Sequence, residues 1–442
     1  MKLLFVSLGC DKNLVDSEHA IALLSDAGFE SVDDENEADV IVVNTCCFIL
    51  DAKQESIDTV LEMARLKDNK LKALIVCGCL AKRYRKEIQK EIPEVDAIID
   101  PDGIEDIVDA VRDVLKKKGI GEDTPAPGSK SHARVITTPG HYEYLKIAEG
   151  CDKNCTYCII PGIRGSYRSY PMEDLVKEAE DLARKGVKEL IIVAQETTCY
   201  GLDLYGRKSL PELLCKLADI KGIEWIRLLY AYPEEITDEL IEVMSTNKKI
   251  CHYIDMPVQS GSDQVLRRMG RRTRRDEIGK VVQKLRRSMN DICIRTTLIS
   301  GFPGETQSDH EETYRFVNET EFDRLGVFEY SAEEGTPAYD FDDQVDEDVK
   351  RSRREELYEL QQAIAFEKAE GMIGSKLRII IDGYLPEDEV YVGRSYKDAP
   401  DIDGLVFAKS DRELITGDMI DVIITGAREY DLEGEAVNES AK

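Results

Sequence analysis

The chain has 442 residues, 42% hydrophobic and 33% charged, with a formal net charge of −29. That length exceeds one ordinary core and implies two or three domains, while the composition excludes a disordered or fibrous chain. No apolar run reaches the roughly 18 residues of a membrane span, and so acidic a field works against unaided binding to a nucleic-acid backbone.

The first element in chain order is "KLLFVS" at 2–7. Its apolar stretch is shorter than the roughly 7-residue core of a signal peptide. It therefore reads as a buried strand, and the chain is expected to be cytoplasmic. Similar runs at 40–44 ("VIVVN") and 72–77 ("KALIVC") alternate with helical patterns such as "VDSEHAIALLSDAGF" and "ILDAKQESIDTVLEMARLKD". Strand–helix alternation of this kind predicts an α/β fold, here an open parallel sheet over residues 1–118. Cys10, Cys46 and Cys79 each follow the C-terminal end of one of these strands, where open α/β sheets place their ligands. They are thus able to converge although distant in sequence.

Residues 119–136, rich in Pro, Gly, Ser and Lys, read as a linker. From 137 to 370 six strand-like runs recur ("EYLKIAEG", "ELIIVAQE", "WIRLLYA", "YIDMPVQ", "ICIRTTLISGF", "RLGVFEYS"), separated by helices. Six such units predict a partial (β/α)6 barrel with its functional loops at the strand C-termini. A long amphipathic helix, "DEDVKRSRREELYELQQAIAFEKAEGMIG", leads out of it. Residues 371–442 carry short strands with turns between them ("KLRIIIDGYL", "EVYVGRSY", "GLVFAK", "MIDVIITGA"), a small all-β barrel or sandwich.

Twelve cysteines in a chain of this type are not a disulfide framework. Cys199, Cys215, Cys251 and Cys293 are scattered and read as small buried filler. The five histidines (His19, His132, His141, His252, His310) form no ligand spacing. Cys151, Cys155 and Cys158 are different, because C-x3-C-x2-C puts three thiolates on one short loop. Such a loop holds three irons of a [4Fe–4S] cube and leaves the fourth without a protein ligand. A thioredoxin-like pair or half a zinc site is the plainer reading of "CTYC". The third cysteine, and the lack of a second CxxC or a nearby His, oppose it. "GCDKN" occurs at 9–13 and again at 150–154, but the flanks differ, so the two copies are not a repeat.

With Tyr157 before the last cysteine, the loop resembles the radical S-adenosylmethionine superfamily. "SLGCDKNLVDSE", "VVNTCCFILDAKQESI", "CGCLAKRY", "EGCDKNCTYCIIPGIRG", "MPVQSGSDQVLRRMGRR", "RTTLISGFPGET" and "EYSAEEGTPA" resemble the methylthiotransferase family of that superfamily from end to end. The resemblance implies an auxiliary-cluster domain, a radical domain and a C-terminal TRAM barrel. It also implies two [4Fe–4S] clusters and S-adenosylmethionine, used once as methyl donor to sulfur and once as radical source. The auxiliary ligands fall on Cys10, Cys46 and Cys79. Cys46 is preferred to Cys47 as the third letter of "NTC", and Cys79 to Cys77 because it precedes "LAKR". Cys151, Cys155 and Cys158 hold the radical cluster. Resemblance and strand-end position assign S-adenosylmethionine contacts to Gln195, Glu196, Gln259, Ser260, Arg295 and the turn Gly301 to Glu305. Tyr157 and Tyr330 are expected to wall the adenine. The basic tract Arg267–Arg275 meets an acidic substrate, the carboxylate of S-adenosylmethionine, or solvent. No side chain beyond the clusters is assigned a catalytic role.

The implied reaction converts C–H to C–SCH3, which acid–base chemistry cannot do on an unactivated carbon, and it requires an external electron donor and a sulfur source. Some family members modify an adenosine in tRNA, while RimO-type members modify the β-carbon of an aspartate in small-subunit ribosomal protein twelve. The opening "SLGCDKNLVDSE" resembles the RimO-type pattern. Residues 374–442 carry 8 Lys/Arg against 16 Asp/Glu, a net of −8. Such a barrel repels phosphates and suits a basic ribosomal protein. Methylthiolation of tRNA and a non-catalytic iron–sulfur role are the alternatives.

Overall fold

The computed structural model describes residues 1–68, 70–120 and 134–437, and its two compact units are treated in turn. The first comprises Met1–Thr137 with Glu149–Asp152 and Cys158–Arg168. Its elements are β1 (Lys2–Ser7), α1 (Asp11–Asp26), β2 (Glu30–Ser31), β3 (Val40–Thr45), α2 (Leu50–Arg65), β4 (Ala73–Gly78), α3 (Cys79–Arg83), α4 (Arg85–Glu91), β5 (Ala97–Ile99) and α5 (Ile107–Lys117). The strands form a parallel sheet in the order β2-β1-β3-β4-β5. Every residue of β3 and β4 is buried, which is why both read as continuous apolar runs. Val40 and Val42 face α1 and α5 through Ala20, Leu24, Ile107 and Val111. Ile41 and Val43 face α2 through Val60, Met63 and Ala64. The edge strands β2 and β5 gave no sequence signal because two- and three-residue strands carry no periodicity. Of the expected linker, residues 121–133 lie outside the described residues, and His132 with them. Its far end is fastened at Glu18, which pairs with Arg134 and accepts from the Thr137 amide at 2.7 Å.

Two short strands, β7 (Ala148–Glu149) and β8 (Arg168–Ser169), flank the cysteine loop in the chain, with β6 (Tyr142–Lys146) before them and α6 (Ile160–Arg164) between them. The second unit contains β6 and then α7 (Met172–Arg184), β9 (Glu189–Val193), α8 (Leu202–Tyr205), α9 (Leu210–Ala218), β10 (Trp225–Leu228), α10 (Asp238–Thr246), β11 (Ile250–Asp255), α11 (Asp263–Arg268), α12 (Arg275–Ser288), β12 (Cys293–Ser300), α13 (Gln307–Thr320), β13 (Arg324–Glu329) and α14 (Glu347–Glu370). The six expected strands pair in parallel in the order β13-β12-β11-β10-β9-β6, an open barrel wall.

Beyond α14, a closed barrel runs β14 (Lys376–Leu385), β15 (Val390–Ser395), β16 (Val406–Lys409), β18 (Asp431–Ala436), β17 (Met419–Arg428). The sequence signalled four of these five strands. The fifth, "DLEGEA", is acidic and glycine-containing, and it is held by pairing with both β16 and β17.

The C-terminal barrel shares the second unit because buried ion pairs join it to the central sheet. Glu189, fully buried, accepts from Arg227 Nε at 2.7 Å and Arg394 Nη1 at 2.8 Å. Arg394 also pairs with Asp382, which meets His141 at 2.6 Å. Arg324 pairs with Asp398 at 2.6 Å, and Asp403 accepts from Tyr253 at 2.7 Å. Asp382, Asp398, Asp403 and Arg394 are thereby spent internally, which leaves 13 acidic against 7 basic residues from 374 onward. Among the described residues no helix is long and apolar enough to cross a membrane.

Candidate functional site

Within the first unit, β1, β3 and β4 are neighbours, so the chain leaves three adjacent strand ends at Cys10, Cys46 and Cys79. Cys46 directly follows β3, Cys79 opens α3, and Cys10 sits at the N-cap of α1. Two glycines let these loops close on one another. A Cβ on Gly9 (φ +93°) would stand 2.6 Å from Cys46 Cβ, and one on Gly78 (φ +93°) 2.5 Å from the Thr45 carbonyl. Both are backbone conformations that L side chains rarely adopt. Asn13 stitches the loops by donating to the carbonyls of Leu8 (2.9 Å) and Thr45 (3.2 Å). Ser56 holds Cys46 by accepting from its amide and donating to its carbonyl, both at 2.9 Å.

The three thiols are near enough to act on one another electrostatically. Burial pushes Cys79 up to about 11, with Cys10 and Cys46 adding to the rise; burial likewise raises Cys46, with Cys10 adding. Cys10 is exposed, and gives the site an open side. Among the described residues no three His, Cys, Asp or Glu side chains close around a single point at one-ion distance. A four-iron cube takes each ligand sulfur on a separate iron, so its ligands stand further apart than those of one ion. Three thiols at adjacent strand ends, exposed on the Cys10 side, fit such a cube. Cys47 and Cys77 are packed thiols: both are fully buried, Cys47 against Leu80, Ile88 and Ile163, and Cys77 in the sheet core with Leu3 and Ile75.

The second cysteine set lies on the loop after β7. Cys151 and Cys155 are buried and Cys158 is partly exposed. Gly150 (φ +79°) makes the turn, since a Cβ there would lie 2.3 Å from the Ser166 carbonyl. In the second unit, Cys155 Sγ is 3.2 Å from the Tyr232 hydroxyl. Loop residue Thr156 is tied to the end of α11, donating to the Arg268 carbonyl (2.8 Å) and the Met269 carbonyl (2.9 Å).

The strand ends of the second unit bring several expected contacts together. Glu196, after β9, is 1% exposed. Its Oε1 accepts from Thr198, while its Oε2 has no hydrogen bond among the described residues and lies 3.9 Å from the Lys153 ammonium. Burial pushes this carboxyl up to about 7. Gln259, after β11, has φ +73° and a buried Oε1 with no hydrogen bond. Tyr157 and Tyr330 meet across Phe302, with ring centroids 6.4 and 5.3 Å from it. Gln195 is partly buried beside Glu196.

Other expected contacts are engaged within the protein. Ser260 lies 3.3 Å from the Thr313 hydroxyl and accepts from the Ser262 amide. Arg295 pairs with Asp255 at 2.9 Å and Asp403 at 3.6 Å. Glu305 accepts from the Gly301 amide at 3.2 Å and Arg353 at 2.8 Å, closing its own turn. A Cβ on Gly301 would strike Lys350.

Arg271 is the residue that sequence reasoning missed as an individual. Most of its tract is a partnered surface: Arg268 pairs with Asp343 and Arg275 with Glu319. Arg271, however, is 4% exposed and stacks on Tyr232, 4.1 Å from the ring centroid. Its Nη2 donates to the Pro257 carbonyl at 2.8 Å, whereas Nε and Nη1 are buried with no hydrogen bond among the described residues. Cys155 and Tyr157 lie within its field. Buried unmade N–H groups on a cation beside Cys155, with the open acceptors of Glu196 and Gln259, suit a ligand carrying a carboxylate and hydroxyls. The donor set therefore fits S-adenosylmethionine. The expected filler role holds for Cys251 and Cys293, both buried; Cys215 is exposed on α9 and Cys199 only partly buried.

Comparison with known proteins agrees with this layout. A family described as "Uncharacterized protein family UPF0004" matches residues 2–100, the radical SAM superfamily residues 145–317, and the TRAM domain residues 373–437. The "Ribosomal protein uS12 methylthiotransferase RimO" of Lachnoclostridium phytofermentans is 56% identical over 99% of this chain and all of its own. That of Caldanaerobacter subterraneus subsp. tengcongensis is 51% identical over 97% of this chain and 98% of its own. Among solved structures, the radical S-adenosylmethionine methyltransferase TsrM from Kitasatospora setae aligns with TM-score 0.55 at 14% identity, covering 85% of this chain and 77% of its own. The cobalamin-dependent S-adenosylmethionine radical enzyme OxsB aligns at TM-score 0.54 and 15% identity, covering 81% of this chain and 56% of its own. At such identities the likeness is one of fold.

Proposed function

The chain belongs to the ribosomal protein uS12 methylthiotransferase RimO family of radical SAM enzymes, and from that premise we propose that it methylthiolates the β-carbon of an aspartate in ribosomal protein uS12 using two three-cysteine clusters. Cys10, Cys46 and Cys79 would hold the auxiliary [4Fe–4S] cluster, and Cys151, Cys155 and Cys158 the radical one. These groups with S-adenosylmethionine supply hydrogen-atom abstraction from an unactivated carbon and a site for sulfur to await the substrate. The cytoplasm, where ribosomes are made, is the place of action. An external reductant and a sulfur source complete the requirement.

The protein's own residues bind, orient and dry the site. Arg271 would take the carboxylate of S-adenosylmethionine on its free Nε and Nη1. Glu196 and Gln259 would accept from hydroxyl and amino groups, and Tyr157, Phe302 and Tyr330 would enclose the apolar part of the ligand. Gln195 stands beside Glu196 as a further contact. Ser260, Arg295 and the Gly301–Glu305 turn shape the strand ends through their internal bonds. Residues 1–118, 137–370 and 371–442 act as auxiliary, radical and substrate-handling segments joined by the 119–136 linker. The acidic excess of the last segment suits a Lys- and Arg-rich protein and opposes tRNA.

The observation that supports this reading most is the meeting of Cys10, Cys46 and Cys79 at three adjacent strand ends. Anaerobic reconstitution tests it. A Cys10→Ala/Cys46→Ala/Cys79→Ala variant should lose about half of its iron and sulfide, still cleave S-adenosylmethionine with dithionite, and no longer methylthiolate uS12. Undiminished iron, or lost cleavage, would overturn the division of labour.

A further inference from the structure

One buried cation in the first unit is placed in a way that a structural ion pair does not require. Arg164, at the end of α6 and six residues after Cys158, is 2% exposed. Its Nη1 donates to Asp16 at 2.8 Å and Glu149 at 3.2 Å, and its Nη2 to the Asn13 side-chain oxygen Oδ1. Two carboxylates and an amide already engage those two nitrogens. The third nitrogen, Nε, donates to Cys79 Sγ, 3.3 Å away. A neutral thiol is among the weakest acceptors in proteins, so the placement gains little while Cys79 carries its proton. A thiolate bound to iron is anionic and accepts a charge-assisted hydrogen bond well. The guanidinium also stands between this sulfur and two carboxylates. It thereby offsets part of the negative charge that Asp16 and Glu149 bring beside an anionic cluster. Hydrogen bonds to ligand sulfurs and local net charge are the levers that set iron–sulfur reduction potentials.

We infer that Arg164 is a positioning residue that raises the reduction potential of the auxiliary cluster, through its Nε–H bond to the Cys79 sulfur and its screening of Asp16 and Glu149. This rests on Cys79 being an auxiliary ligand, as proposed above. The role needs no change in the protonation of Arg164, and nothing is transferred to or from it. The reduced cluster carries one more negative charge than the oxidised one, so a fixed donor and cation beside the sulfur stabilise the reduced form more.

The test isolates that cluster in the full-length chain. A Cys151→Ala/Cys155→Ala/Cys158→Ala background is reconstituted anaerobically, its iron counted, and its midpoint potential read by a redox titration followed by electron paramagnetic resonance. Two variants are made in it: Arg164→Gln, and Arg164→Gln with Asp16→Asn, which removes the Asp16 charge together with the cation. Iron content should stay at about four per chain in both. The midpoint should move to more negative potential in both, further in Arg164→Gln because Asp16 keeps its charge there while Glu149 stays in both, and the resonance of the reduced cluster should shift. Arg164→Lys, which keeps the charge and loses the fork, should fall between Arg164→Gln and the parent. An unchanged midpoint with iron retained would overturn the inference. A background that binds no cluster would instead overturn the two-cluster reading, and this inference with it.

Discussion

Replacing Arg271 by Met should weaken ligand binding and leave the stability of the empty protein nearly unchanged, an unusual pairing of effects. The guanidinium is 4% exposed, and two of its nitrogens, Nε and Nη1, make no hydrogen bond. Each buried donor left unmade costs about 1–3 kcal/mol. Against that, the side chain gains one bond to the Pro257 carbonyl and its stacking on Tyr232, together about 2–3 kcal/mol. Methionine keeps the length and packing of the stem, so the apo enzyme should change by no more than about 1–2 kcal/mol in either direction. The ligand loses a bidentate, charge-assisted pair of bonds at about 1.5–3 kcal/mol each. S-adenosylmethionine should therefore bind roughly 100- to 10,000-fold more weakly. Anaerobic titration calorimetry gives the affinity and differential scanning calorimetry the stability. An Arg271→Met protein that binds normally but unfolds several kcal/mol more easily would refute the reasoning and make Arg271 a structural cation.

Three further outcomes follow from the same geometry. Glu189→Gln leaves Arg227 and Arg394 facing a neutral group in a dry interface, so the second unit should lose about 3–5 kcal/mol; a calorimetric loss under 1 kcal/mol would contradict it. Glu189 and Asp382 are both held below the usual carboxylate range, despite burial, by the arginines around them and, for Asp382, by His141. Their contribution is present above the unfolded carboxylate pKa and lost as pH falls through the lower folded values, so Glu189→Gln should flatten the acid limb of the stability curve. Glu196 titrates near 7 because burial raises it, and its ionised form accepts from a hydroxyl more strongly. S-adenosylmethionine should then bind about 10-fold tighter as pH rises through that value, a dependence absent in Glu196→Gln; equal pH profiles would count against the contact. Finally, Cys77→Ala and Cys47→Ala should cost about 1 kcal/mol each as packed thiols and keep full iron, whereas Cys79→Ala and Cys46→Ala lose the auxiliary iron. Iron loss with Cys47→Ala alone would move the ligand by one residue.

Much of the frame was legible because its signals are local. β1, β3 and β4 each carry a continuous apolar run, and C-x3-C-x2-C is a ligand spacing complete within eight residues. β18 was not legible: an acidic, glycine-bearing segment becomes a strand only because β16 and β17 flank it. Arg271 was hidden for a related reason. Six of the nine residues from Arg267 to Arg275 are arginines, and such a tract reads as a solvated face. Nothing local reveals that one of them turns in under Tyr232. Arg295 and Glu305, expected at the ligand from strand-end position, carry internal partners that the sequence did not reveal, Asp255 and Arg353. Arg164 gave no signal of its own, because its partners Asn13, Asp16 and Cys79 lie more than eighty residues away in the chain. The charge of the C-terminal barrel was correct in sign but overstated, because three of its aspartates are consumed by arginines of the central sheet and of the barrel itself.

The substrate is the centre of the account, and one comparison tests it directly. Ribosomal proteins and tRNA nucleosides from a strain lacking this gene, and from the same strain with it restored, are compared by mass spectrometry. The account predicts that uS12 gains the mass of one methylthio group on an aspartate when the gene is present, with tRNA nucleosides unchanged. A methylthio group that comes and goes on a tRNA adenosine, with uS12 unaltered, would contradict it.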